Sequence, residues 1–184
     1  MKHLAKHIGL LGHLGEFSFK RWLDGRALEV LAEIGVKEGQ TVLDFGCGSG
    51  TYTIPAAKLV GKNGKVYALD VSSKALDKVE ERAKQEGLCN IIRIDTTGER
   101  NISLQDNTMD IVLLINVLKD INNRESLFNE IHRVLRLGGN LTVFPMHMKL
   151  EEVEKLGTHA GFKMNDKKFQ EHIIIFRKVW ETLE

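Results

Sequence analysis

Cysteine and proline are scarce in this chain, at two residues each among 184. Two cysteines, Cys47 and Cys89, cannot build a disulfide framework or a cysteine-based zinc site. An excess of one charge is missing too. Lys and Arg number 26 against 25 Asp and Glu, a formal net charge of +1, and the basic residues are spread along the chain. That distribution lacks the basic stripe of a nucleic-acid binder, so no nucleic-acid partner is expected. No apolar run reaches membrane-spanning length. Met1 to His7 lacks the apolar stretch and cleavage site of a secretory signal. What is present is 42% hydrophobic and 28% charged residues at ordinary domain size, enough for one continuous core. A cytoplasmic enzyme or binding protein is the default expectation.

One stretch departs from this plain background: Thr41-Val42-Leu43-Asp44-Phe45-Gly46-Cys47-Gly48-Ser49-Gly50. An apolar run ends in an acidic residue, three alternate glycines follow, and a helix-like segment runs from Thr51 to Val60. The pattern predicts a strand, a tight loop and a helix. Glycine permits positive φ and close approach of a ligand to the backbone. The first turn of the helix has no acidic residue, so its unpaired N–H groups are expected to be left for a ligand. Residue patterning thus points to a nucleotide-type cofactor on this loop.

The remaining chain alternates. Residues 1–39 read as a helical segment, irregular around Gly9, Gly12 and Gly15, with Trp22, Leu23, Ala27, Leu28, Leu31 and Ile34 as its core face. His3 and His7 stand at i, i+4 with no third ligand in view, so they read as a solvated face and no metal is expected. Strands are predicted at 65–69, 91–95, 111–115 and 141–144, with Gly138-Gly139 turning the chain into the last of these. Ser72 or Ser73 and Asn122 or Asn123 are helix caps, and a further helix covers about 149–159. Phe162 to Met164 and His172 to Phe176 read as two final strands, too close for a helical crossover, so at least one runs antiparallel. The result is an α/β fold with a seven-stranded, mainly parallel sheet and helices on both faces. It forms a single domain over 1–184, with its core at 40–180. In such sheets ligands lie beyond the carboxyl ends of the strands, where strand order reverses.

Spacing narrows the ligand. Dinucleotide sites want G-x-G-x-x-G/A, but here glycines stand at 46, 48 and 50 and Thr51 follows. No Gly-Lys-Ser/Thr follows either, which excludes a P-loop. Asp70 lies twenty positions after Gly50 (70 − 50), at the end of the adjacent strand. Its carboxylate can accept hydrogen bonds from both ribose hydroxyls and would repel a 2′-phosphate.

Val42 to Gly50 resembles the first motif of class I S-adenosylmethionine-dependent methyltransferases. Tyr67-Ala68-Leu69-Asp70-Val71-Ser72 looks like that family's acidic second motif, and Leu104 to Asp110 like its approach to the fourth strand. Val117-Leu118-Lys119-Asp120-Ile121 stands where the family carries Val-Leu-His-His, and Val134 to Leu141 resembles the entry to its fifth strand. The likeness covers about residues 26–179 and is strongest to the small-molecule branch of ubiquinone and menaquinone biosynthesis. It implies a Rossmann-like methyltransferase domain with S-adenosyl-L-methionine as cofactor and an unidentified small-molecule acceptor. In that resemblance Asp44, Gly46, Cys47 and Gly48 border the methionine and ribose portions. Asp70 holds the ribose, Val71 packs on the adenine, and Asn116 and Val117 line the methionine end. Asp95 is the candidate for the adenine amino group, with Glu99 as its alternative.

Simpler roles stand beside these. Asp44 also fits a structural carboxylate binding loop N–H groups, and the two roles can coexist. Asp95 fits a solvated strand end. His147, after the fifth strand, is the one weak candidate for a general base, although a loop histidine explains it as well. Nothing marks Cys47 as a nucleophile. No Asn-Pro-Pro-Tyr motif is present; Ile115-Asn116-Val117-Leu118 occupies that place, against a planar amino group of nucleic acid or protein as acceptor. The substrate cover is left to residues 1–39, the 96–109 loop, the 145–150 loop or a second subunit, which keeps a homodimer open. A non-catalytic S-adenosylmethionine-binding protein and an NAD-binding oxidoreductase are the rival readings.

Overall fold

The computed structural model describes residues 15–98 and 102–180; His3, His7, Gly9, Gly12 and Glu99 lie outside the described residues. Seven strands form: β1 (Thr41–Phe45), β2 (Lys65–Asp70), β3 (Ile91–Asp95), β4 (Met109–Ile115), β5 (Leu135–Phe144), β6 (Phe162–Lys168) and β7 (Ile173–Lys178). They make one sheet in the order β3-β2-β1-β4-β5-β7-β6. The pairs from β3 through β5 are parallel, and β7 is antiparallel to both β5 and β6. Strand order therefore reverses between β1 and β4, and the crevice opens at their carboxyl ends.

The apolar strand runs reflect cover on both faces. On one face Val42, Val66, Ile111 and Leu113 pack with Leu23 from a helix over 15–25 (α1), and with α2 (Ala27–Glu33) and α3 (Thr53–Val60). Leu76 and Val79 of α4 (Ser73–Gln85) pack on Ala68 beside them. On the other face Val112, Leu114, Val143 and Ile174 meet Phe128 and Ile131 of α5 (Arg124–Val134) and Val153 of α6 (Leu150–His159). Helix caps follow the side-chain chemistry: Ser72 Oγ accepts from the Ala75 N–H, and Asn123 Oδ1 from the Ser126 N–H.

Two local expectations change. Trp22 and Leu28 are 41% and 46% exposed, while Leu23, Ala27, Leu31 and Ile34 are buried. The helical phase is interrupted by a turn at Arg26, so one stripe cannot run through α1 and α2. The second change concerns Gly138-Gly139, which does not precede the fifth strand but lies inside it. β5 starts at Leu135 directly from α5, and the register jumps from Met109↔Leu135 to Ile111↔Asn140. The glycine pair is a bulge within one strand. A Cβ at Gly139 would lie 2.9 Å from the Arg136 carbonyl oxygen and 3.0 Å from that of Asp110, which explains the residue type. The hand-off is held from β7. Lys178 Nζ donates to the carbonyls of His132 and Leu135 and to Asn107 Oδ1, at 2.7, 2.8 and 2.8 Å.

Gly157 in α6 provides a stability test. A Cβ there would run into the ring of Phe176, which is fully buried and packs against Phe128 and Phe162. Alanine should gain about 1 kcal/mol of helix propensity, but overpacking a filled core costs about 1–3 kcal/mol. Gly157→Ala is therefore expected to destabilise by about 1 kcal/mol net, read as a lowered urea midpoint. A raised midpoint would contradict this packing.

Candidate functional site

The glycine loop is built on a buried carboxylate. Asp44, the penultimate residue of β1, is 2% exposed. Its Oδ2 accepts the Thr53 hydroxyl at 2.6 Å, and the Thr53 backbone N–H also bonds to this carboxylate. Asp44 thus caps α3 from a neighbouring strand, where the positive end of the helix favours it. The expectation of a helix start left open for a ligand is corrected here, because the anion at that start is the protein's own. Burial pushes the Asp44 carboxyl up to about 6; the Thr53 hydroxyl opposes that and the Asp70 charge adds to it.

The loop amides are turned inward. The N–H groups of Gly46 and Cys47 both donate to the Leu69 carbonyl, at 2.8 and 3.1 Å, and that of Gly50 to the Cys47 carbonyl at 3.0 Å. The Gly48 N–H donates to Asp70 Oδ2 at 2.8 Å. These four amides are spent inside the protein, which opposes a pyrophosphate ligand, since such a group needs free donors. From behind, Arg82 Nη1 of α4 donates to the Ser49 carbonyl at 2.7 Å. Gly46 is fixed by a close approach: at φ 74°, a Cβ there would lie 2.5 Å from Val117 Cγ2.

Beyond the loop lies a cavity of about 750 Å³. Phe45, Gly46, Asp70, Val71, Asn116 and Val117 all line it, so the strand ends of β1, β2 and β4 converge as the topology requires. Asp70 is oriented by two amides, with Oδ1 accepting the Ser72 N–H at 2.8 Å in addition to the Gly48 bond. Val71 is 69% exposed, an apolar surface next to that carboxylate. Asn116 sits at φ 57°, and its Oδ1 is buried without a hydrogen-bond partner among the described residues. A buried acceptor of that kind is left for a donor from outside the chain, a water or a ligand. Among the described residues, the charged ones of the lining are Asp70 and Asp120, both acidic.

Other sequence candidates lie elsewhere. Asp95 is gripped by Arg93, with Nε to Oδ2 at 2.6 Å and Nη2 to Oδ1 at 2.8 Å; the same guanidinium reaches Asp77, Glu80 and Ser73 of α4. This pairing holds the Asp95 carboxyl below its usual range. Thr96 and Gly98, rather than Asp95, line the cavity. His147, at φ 66°, places Nδ1 2.7 Å from Glu16 Oε2 of α1 and is not among the cavity-lining residues. Cys47 is buried, and desolvation together with the Asp44 and Asp70 charges pushes its thiol well up, keeping it protonated. Lys119 pairs with Asp120 at 2.7 Å.

Sequence reasoning missed three supports. Thr53 carried a signal, a hydroxyl residue at the start of a helix. Tyr52 did not: its hydroxyl donates to Asp24 Oδ1 at 2.9 Å, tying α1 to the start of α3. Ile102 reaches the cavity wall from the 96–109 loop, which the sequence offered as substrate cover without marking any one of its residues.

A family model for the methyltransferase domain matches residues 36–175. The chain is 30% identical over 132 residues to a demethylmenaquinone methyltransferase of Lactobacillus johnsonii, covering 72% of this chain and 54% of that protein. It is 29% identical over 140 residues to a ubiquinone/menaquinone biosynthesis C-methyltransferase of Hydrogenovibrio crunogenus, covering 76% and 54% respectively. The chain thus spans about half the length of these curated relatives. Among solved structures, a SAM-dependent methyltransferase from Aquifex aeolicus superposes with a TM-score of 0.74 at 27% identity, over 83% of this chain and 89% of that one. Motif order, sheet topology and the family model agree, and the chain belongs to the methyltransferase domain family.

Proposed function

We propose that this protein is an S-adenosylmethionine-dependent methyltransferase acting on a small-molecule acceptor. The observation that carries the reading is the pairing of inward-turned loop amides with an oriented carboxylate, Asp70, in one cavity. That arrangement suits a ribose without phosphates, whereas the rival NAD reading needs anion donors that the loop has spent. Asp70 accepts the ribose hydroxyls, Val71 offers apolar surface to the adenine, and Val117 lines the methionine end beside Asn116, whose orphaned Oδ1 accepts from the ammonium of the methionine portion. Asp44 and Asp70 supply negative charge toward a cationic cofactor. Bound, that cofactor supplies an electrophilic methyl group, so the protein's main tasks are binding, orienting and excluding water. The acceptor class is argued from the relatives, named for demethylmenaquinone and for ubiquinone/menaquinone biosynthesis. A quinone-type ring is the first acceptor to try. A cytoplasmic site of action belongs to the same proposal. Among the described residues no helix is long and apolar enough to cross a membrane.

Three measurements test this. Calorimetry with S-adenosylhomocysteine should show affinity falling about 100-fold in Asp70→Ala, the loss of two hydrogen bonds to a charged acceptor. Asp70→Asn should fall in between, because one oxygen remains. Unchanged affinity in folded variants would remove Asp70 from the site.

Asp44 sets a pH dependence. Its folded value of about 6 lies above the ordinary carboxylate value of 3.8, so the folded protein holds the proton more tightly. The stabilisation from the protonated form is full below about pH 4 and disappears as pH rises through about 6. Asp44→Asn should therefore be more stable than wild type above pH 6, by on the order of 2 kcal/mol. It should also bind S-adenosylmethionine more weakly, because the buried charge is gone. Parallel pH profiles of the two proteins in urea melts would refute the first expectation, and equal affinities the second.

The third measurement is turnover with labelled methyl donor against quinone-type rings and a metabolite extract. Labelled product supports the enzyme. Tight donor binding without any product would favour a non-catalytic binding protein.

A further inference from the structure

The return of the β3–β4 connection forms one wall of the cavity, and it is itself neither strand nor helix. Ile102 is 5% exposed and shares the cavity lining with Val71, Gly98 and Val117. Both of its backbone groups are bound by side chains of α5. Glu130 Oε2 accepts the Ile102 N–H at 3.0 Å, and Arg133 Nη2 donates to the Ile102 carbonyl at 2.8 Å. Arg133 Nη1 also donates to the Leu104 carbonyl at 2.8 Å and to Asp106 Oδ1 at 2.6 Å. The two α5 residues are joined to each other, with Arg133 Nε to Glu130 Oε1 at 3.0 Å and Nη2 to Oε2 at 2.8 Å. Three positions apart, they share one helix face.

We propose that Arg133 and Glu130 are positioning residues of the cofactor cavity, acting through Ile102. The proposal rests on reading this cavity as the cofactor's. An i, i+3 ion pair at a surface contributes little by itself. Here each partner also bonds a backbone group of the same loop, and such charge-assisted bonds are about twice as strong as neutral ones. The result is a rigid seat for a single apolar side chain. Rigidity matters at that point, because dispersion contacts lose a quarter to a half of their strength over a gap of roughly 0.5–1 Å. The arrangement also explains why the wall can come from irregular chain: the positional accuracy is supplied by α5.

The test is a double-mutant cycle on the full chain, with S-adenosylhomocysteine affinity as the readout. Arg133→Met and Ile102→Ala should each weaken binding about ten-fold, at a temperature where circular dichroism shows both folded. If Arg133 acts through Ile102, the double variant should be no more than about two-fold weaker than the worse single one. Amide exchange at 102–106 should speed up in Arg133→Met, while that of β4 stays as in wild type. If Arg133→Met does not fold, Glu130→Gln carries the cycle, because it leaves both carbonyl bonds of Arg133 in place and weakens the acceptor of the Ile102 N–H together with the Glu130–Arg133 pair. Wild-type affinity in the clamp variant, or losses that multiply in the double variant, would overturn the proposal. Asp70→Ala is run in parallel. If it too binds as wild type, the cavity reading fails; if it loses binding while the clamp variants do not, the clamp proposal fails alone.

Discussion

A carboxylate taken out of water beneath the glycine loop is the interaction on which this structure turns. Removing an ion from water costs several kcal/mol unless hydrogen bonds and opposite charge offset it. For Asp44 the offset comes from the Thr53 hydroxyl and amide at the start of α3. The offset is incomplete, which is why the carboxyl is pushed up to about 6. The geometric consequence reaches further than the energy. With α3 pinned to β1 through one side chain, the loop between them is held at both ends. Its amides then find the Leu69 carbonyl and Asp70 as partners, and its outer surface faces the crevice.

The same region shows how stability and binding are set against each other. The Asp44 carboxyl feels the charge of Asp70, and Cys47 lies in the field of both. Such crowding of acidic groups destabilises a protein with nothing bound, and a cationic ligand relieves it. Strain of this kind is expected at a binding site, where local rules are broken for a purpose. Elsewhere the rules hold: strands are packed between two apolar layers, and α4 and α5 begin at Ser72 and Asn123, which cap them. Arg82, Tyr52 and the α5 pair then brace the crevice from outside it.

How much was legible beforehand follows from the range of each interaction. The loop, Asp70 and the order of strands are short-range patterns: apolar runs of strand length, glycines at positions needing positive φ, and an acidic residue at a strand end. These survive in one dimension. The start of β5 was misread because Gly138-Gly139 has the same signature as a bulge or a turn, and the difference lies in the pairing with Met109 and Ile111. Trp22 and Leu28 were misassigned because a turn at Arg26 resets the helical phase. Arg93 and Asp95, two positions apart on a strand, gave no sign that one would grip the other on the face of α4.

Local order in the chain was thus sufficient to specify an α/β sheet, a glycine loop without phosphate-binding spacing, and an acidic strand end, Asp70, beside it. These depend on backbone conformation and on residues that are near neighbours or sit at the ends of adjacent strands. The inward turn of the loop amides, the capping of α3 by Asp44, and the seating of Ile102 by Glu130 and Arg133 were out of reach from the same data. Each joins groups that no local sequence pattern pairs, and each required a choice between solvent and a protein partner. Packing made that choice, because a buried donor or acceptor binds whatever group the folded chain brings within about 3 Å of it.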